Sequence, residues 1–80
     1  MPEVRPLSTI ARDILWHWQH IYFDARPYLD AMGTLDSIRD KYNDRESGEE
    51  IVRRFLVNSS GWRGDDARRI KQELRGMLPE

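Results

Sequence analysis

The stretch Ser47-Gly48-Glu49-Glu50-Ile51-Val52-Arg53-Arg54-Phe55-Leu56 decides the architecture. Ser47 followed three residues later by Glu50 is a capping box: the hydroxyl accepts from the third helical N–H and the carboxylate reaches back. Behind it Ile51, Val52, Phe55 and Leu56 recur at helical spacing, and residues 58–61 break the pattern. Such a helix exposes a large apolar stripe and needs other elements to cover it.

The covering elements read as helices too. Downstream, Ala67, Ile70, Leu74, Met77 and Leu78 share one face, with Asp65 and Asp66 near the positive N-terminal end; Ser60 and Gly64 both qualify as its start. Upstream, Ser8 or Thr9 caps a helix expected to run to about Tyr22, its core arc formed by Ile10, Ala11, Ile14, Leu15, Trp18, Ile21 and Tyr22. Trp16 falls outside that arc, beside Arg12 and His20. Pro27 opens a two-turn helix that Gly33 stops, and Thr34 caps a further short helix through Leu35, Ile38 and Tyr42. No alternating strand pattern and no Asn-Gly hairpin turn is present. The expectation is an all-α compact bundle of four to five short helices around Trp18, Phe55 and Ile70. It forms a single domain over residues 1–80, with 1–7 as a flexible N-terminal segment.

Composition narrows the function. The 80 residues are 39% hydrophobic and 34% charged, contain no cysteine and carry a formal charge of −1. A chain this short hides only about 60% of its unfolded surface, enough for one modest core and not for a deep cleft. Disulfides, thiolate metal sites and thiol nucleophiles are excluded. No apolar run approaches the ~18–20 residues that cross a bilayer, so no membrane role is expected. The only two histidines share one predicted helix with no nucleophile-elbow glycines near them, which argues against a hydrolase and against an enzyme in general.

Four side-chain groups carry candidate chemistry. Asp13, His17, His20 and Asp24 would share a polar stripe if the first helix continued through residue 24. They could then hold a divalent ion, but a solvated face of Asp–His pairs is the stronger reading. Residues 40–48 lack the oxygen ligand and glycine that a calcium loop needs at its third and sixth positions. No metal and no cofactor is assigned. On the last helix Arg68, Lys71 and Arg75 form a basic stripe that Arg63 extends, with Arg53 and Arg54 as further cations; such a stripe neutralises phosphates. The isoelectric point near 6.1 and the neighbouring Glu73 weigh against that nucleic-acid reading. Trp16 and Tyr28, with Asp36, Asp40, Asp44 and Glu46, form the alternative: aromatics that anchor a protein interface beside an acidic segment. Residues 24–50 hold eight acids against four bases, and residues 51–80 hold seven bases against four acids.

Over residues 10–78 the chain resembles short uncharacterised helical proteins of phages, prophages and other bacterial mobile elements. The resemblance rests on Pro27-Tyr-Leu-Asp-Ala-Met32, Leu35-Asp-Ser-Ile38, Phe55-Leu56, Asn58, Trp62-Arg-Gly64, Ala67-Arg68, Ile70-Lys71 and Glu73-Leu74. No activity and no site residue comes with it. It implies a protein of the bacterial host cytoplasm that acts stoichiometrically on a host protein complex. An inhibitor of a CRISPR effector, of the anti-CRISPR type, is one such protein. The leading expectation is therefore protein docking through Trp16, Tyr28, Asp36, Asp40, Asp44 and Glu46; Trp16 could instead cover a seam within the bundle or a homodimer contact. The alternative is a small DNA-binding regulator using Arg63, Arg68, Lys71 and Arg75.

Overall fold

Phe55 is fully buried, and the elements that enclose it define the fold. In the computed structural model, which describes residues 4–21, 23–43 and 45–79, these are α1 (Leu7–His17), α2 (Arg26–Met32), β1 (Lys41–Tyr42), β2 (Glu46–Ser47), α3 (Gly48–Asn58) and α4 (Asp65–Met77). Helix α3 presents Ile51, Val52 and Phe55 inward, with Leu56 at the edge of the core. Helix α4 presents Ala67, Ile70 and Leu74 to the same core, and α1 presents Leu7, Ile10, Ala11 and Ile14. The Trp18 ring meets Phe55 edge-on at 6.2 Å and stacks on Trp62 at 5.3 Å with the planes 10° apart. These three rings seal the end of the core where α1 stops and α4 begins.

Three sequence expectations are corrected. Helix α1 ends at His17 instead of near Tyr22, because Trp18 turns to an extended conformation (φ −108°, ψ 95°) and lays its ring on Trp62. Leu15, placed in the core arc, is 45% exposed. The short helix expected after Thr34 is absent: residues 33–40 form turns, and β1 and β2 pair as an antiparallel hairpin, Lys41 opposite Ser47 and Tyr42 opposite Glu46. Asn43 enters its turn at φ 55°, a conformation asparagine tolerates. The fold is thus mostly helical, with four helices among the described residues and a small two-stranded sheet.

Residues 35–40 supply backbone acceptors to the first turns of α1 and α3. The first N–H groups of a helix lack intrahelical partners. At α1, Leu7 donates to the Asp36 carbonyl (3.1 Å) and Ser8 to the Leu35 carbonyl (2.8 Å). At α3, Gly48 donates to the Asp40 carbonyl (2.7 Å) and Glu49 to the Ile38 carbonyl (2.9 Å). Ser8 and Thr9 therefore lie inside α1, whose cap is Pro6. The Ser47 hydroxyl does accept from Glu50 N–H at 3.2 Å, but the Glu50 carboxylate turns to Arg54 at 2.7 Å instead of closing the box. Of the segment 1–7 set aside as a flexible tail, Leu7 is 1% exposed and Arg5 is ion-paired to α4.

Candidate functional site

Helix α4 divides most of its charges between two flanks, with Asp65 and Arg69 between them. At about 100° per residue, Arg68, Lys71 and Arg75 fall within about 60° of one another, and Asp66 and Glu73 fall within about 20° on the opposite side. The acidic flank is tied to α1. The Arg5 guanidinium grips Glu73 with a two-pronged contact at 2.6 and 2.8 Å and donates to Asp13 at 3.1 Å. His17 Nδ1 lies 2.9 Å from Asp13 Oδ1, and its Nε2 lies 3.7 Å from Asp66. Arg69 reaches Asp13 at 3.5 Å and Asp66 at 3.3 Å. Partial burial pushes the Asp13 carboxyl up, but the Arg5 hydrogen bond and the charges of Arg69, Arg5 and His17 outweigh it and hold the group below the usual carboxylate range. The Glu73 hydrogen bond, with Asp13 behind it, raises the Arg5 guanidinium against its burial.

The basic flank faces the turn that precedes α4. There Trp62, Arg63, Gly64, Arg68, Lys71 and Arg75 line an open groove of about 300 Å³. Lys71 is its inner strut: Nζ donates to the Ser59 and Trp62 carbonyls, both at 2.6 Å, and sits 5.9 Å from the centre of the Trp62 ring. An ammonium has three donors, so one remains for the groove. Burial, reinforced by Arg75 and Arg63, lowers the Lys71 pKa. Arg63, Arg68 and Arg75 form no ion pair among the described residues. Gly64 permits the sharp entry into α4, with φ 112° and ψ −178°, a region open essentially only to glycine.

The structure therefore gathers Arg63, Arg68, Lys71 and Arg75 on one surface. It removes Glu73 from that surface, where the sequence had set it as a repulsive neighbour. Arg53 and Arg54 lie elsewhere, engaged with Glu49 and with Glu46 and Glu50. Trp62 and Gly64 also line this groove, and the sequence signals them only through the glycine beside Arg63.

The aromatic and acidic set is less coherent. Trp16 stands 80% exposed near the C-terminal end of α1. Asp36 lies beside the opposite end of that helix, about 13 Å away along its axis at 1.5 Å per residue from Leu7. Tyr28 is half-buried against the core. Asp40 is occupied as a local cap, accepting from Asp36 and Ser37 N–H at 2.9 and 3.1 Å, and Glu46 lies 3.6 Å from Arg54. Asp44 and Tyr22 lie outside the described residues.

The quartet Asp13, His17, His20 and Asp24 is dispersed by the early end of α1. Among the described residues no three His, Asp or Glu side chains converge as metal ligands. No described helix is long and apolar enough to cross a membrane. No protein family, curated protein or solved structure matches the chain.

Proposed function

We propose that this chain is a non-enzymatic binding protein whose groove at Arg63, Arg68, Lys71 and Arg75 docks on the phosphate backbone of a nucleic acid. One observation carries the reading: Arg63, Arg68 and Arg75 form no ion pair among the described residues, while Asp66 and Glu73 of α4 are engaged on the other flank by Arg5, His17 and Arg69, which leaves Asp65 as the one acid of α4 near the basic stripe. Unneutralised guanidinium groups on a concave surface fit phosphodiesters, which accept paired N–H donors. Trp62 is only 5% exposed and stacked on Trp18, so it offers no platform for bases, and recognition rests on phosphate with little sequence preference.

Four phosphate contacts give a salt slope of about −3.6, a loss on the order of a hundredfold between about 50 and about 200 mM salt. Fluorescence anisotropy of a labelled DNA duplex measures it. Arg68→Glu and Arg75→Glu each flatten the slope by about one or more. Binding indifferent to salt, or unchanged in the double variant, overturns the reading.

The exposure of Trp16 favours a second reading, protein docking. A tryptophan 80% in water on a helix that also exposes Leu15 has the makeup of an interface anchor. Under it the protein blocks a host complex in a bacterial cytoplasm, as the mobile-element resemblance implies, a CRISPR effector being one such target. Trp16→Ala then abolishes inhibition while the basic-groove variants retain it. Sedimentation distinguishes a foreign partner from a second copy of the chain.

A further inference from the structure

Arg63 is the groove cation that no helix carries, and neither its backbone nor its guanidinium forms a hydrogen bond or ion pair among the described residues. Its place is fixed by its two neighbours. Gly64 turns into α4 at φ 112°, and its carbonyl accepts from the Arg68 N–H at 3.0 Å. On the other side, the carbonyl of the Trp62–Arg63 peptide accepts from Lys71 Nζ at 2.6 Å. A peptide is a rigid plane, so holding its carbonyl sets the direction in which the chain enters Arg63. We infer that Lys71 is the positioning residue of the groove: it pins this peptide so that Arg63 stands beside Arg68 and Arg75, and it keeps one donor for a phosphate. The inference rests on the nucleic-acid reading above.

Lys71 suits this role because the same Nζ also reaches the Ser59 carbonyl, where the chain leaves α3, at 2.6 Å. One ammonium on α4 thereby spans the turn from its first residue to the peptide that leads into Arg63. Burial, then the charges of Arg75 and Arg63, oppose the ammonium; the two carbonyl oxygens hold it in place against them. Trp62 itself has other anchors: its ring stacks on Trp18, and its N–H donates to the Ser59 carbonyl at 2.9 Å. Among the described residues no donor other than Lys71 meets the Trp62 carbonyl. Loss of the ammonium therefore releases the Trp62–Arg63 peptide while the Trp62 ring stays in the core. Arg68 and Arg75, set by α4, keep their places.

A double-mutant cycle of Lys71→Met and Arg63→Met tests this, read by anisotropy titrations of the full chain with a labelled DNA duplex against salt. Arg63→Met alone should flatten the salt slope by about 0.9, the share of one phosphate contact. Lys71→Met should flatten it by about 1.8, its own share and that of Arg63 together, and adding Arg63→Met should change it no further. In the Lys71→Met chain Arg68→Met should still remove about 0.9, which, with an unchanged circular dichroism spectrum, separates a misplaced Arg63 from a lost fold. The parent chain supplies a second measurement that stands even where Lys71→Met does not fold: the Arg63 amide should have an NMR order parameter of about 0.85, that of a rigid backbone. Arg63→Met costing its full share in the Lys71→Met chain, or an Arg63 order parameter below about 0.6, overturns the positioning role and leaves the groove reading standing. Absence of duplex binding by the parent chain overturns the groove reading and the positioning role with it.

Discussion

Two glycines in helices answer an added methyl group in opposite directions. Gly48 opens α3 beneath the loop that also caps α1, and a Cβ there would stand 2.6 Å from the Ser37 carbonyl oxygen and 2.9 Å from the Ile38 Cα. Both neighbours are backbone, so relief requires the loop to move. The same movement breaks the Gly48–Asp40 and Glu49–Ile38 hydrogen bonds, now 2.7 and 2.9 Å long. Overpacking costs about 1–3 kcal/mol. The two lost bonds add about 1 kcal/mol each, and the better helix propensity of alanine returns at most about 1 kcal/mol. The net destabilisation of Gly48→Ala is about 2–4 kcal/mol. For a domain of this size each kcal/mol moves the midpoint by about 4–8 °C, so Tm should fall by roughly 10–25 °C. At Gly76, in the last turn of α4, nothing lies within 4 Å of the corresponding position. Gly76→Ala should raise Tm by a few degrees, since alanine is better than glycine by up to about 1 kcal/mol in a helix. Thermal melts followed at 222 nm, with urea midpoints as an independent check, decide the matter. A Gly48→Ala protein melting within about 3 °C of the parent chain refutes the packing assigned to this loop.

Three further outcomes follow from the same contacts. Because the folded-state Asp13 carboxyl is held below its unfolded value of about 3.9, it contributes stability above that pH and loses it as pH falls through the lower folded value; urea midpoints near neutral pH and in acid should show Asp13→Asn less stable than the parent chain when neutral, with the gap closing in acid. Lys71→Met removes the Nζ donor from the Trp62 carbonyl, whereas the Ser59 carbonyl keeps the Trp62 N–H at 2.9 Å; a loss of about 1–3 kcal/mol and a shifted Trp62 emission are expected in denaturant titrations. Trp16→Ser, at a site 80% exposed, should change stability by less than about 0.5 kcal/mol, so any loss of biological effect reports on docking and not on folding.

The parts of the molecule with sustained periodicity are legible in the sequence. Ile51, Val52 and Phe55, and Ala67, Ile70 and Leu74, occupy the core faces their spacing predicts, and Trp16 projects outward as its angle required. The end of α1 was not legible, because Trp18 and Ile21 continue a helical spacing that the chain does not follow; the ring of Trp18 is claimed by Trp62, some forty residues away. The hairpin was hidden for a different reason. Strands of two residues are too short to alternate, and the bonds that shape the preceding turns come from α1 and α3 N–H groups remote in sequence. For the candidate site, the stripe Arg68–Lys71–Arg75 could be read from the helix angle alone. The withdrawal of Glu73 from it could not, since that depends on Arg5 reaching Glu73 across the molecule.

The unequal flanks of α4 have a consequence for how the sequence can vary. On one side each charge is wired into the junction with α1, so exchanging Asp66 or Glu73 disturbs the architecture itself. Across the helix axis, Arg68 and Arg75 brace nothing within the described residues. Those two positions can drift, reverse sign or be retuned toward a new ligand while the scaffold stays intact. A single thirteen-residue helix thus separates the part of the surface that must stay fixed from the part that is free to adapt.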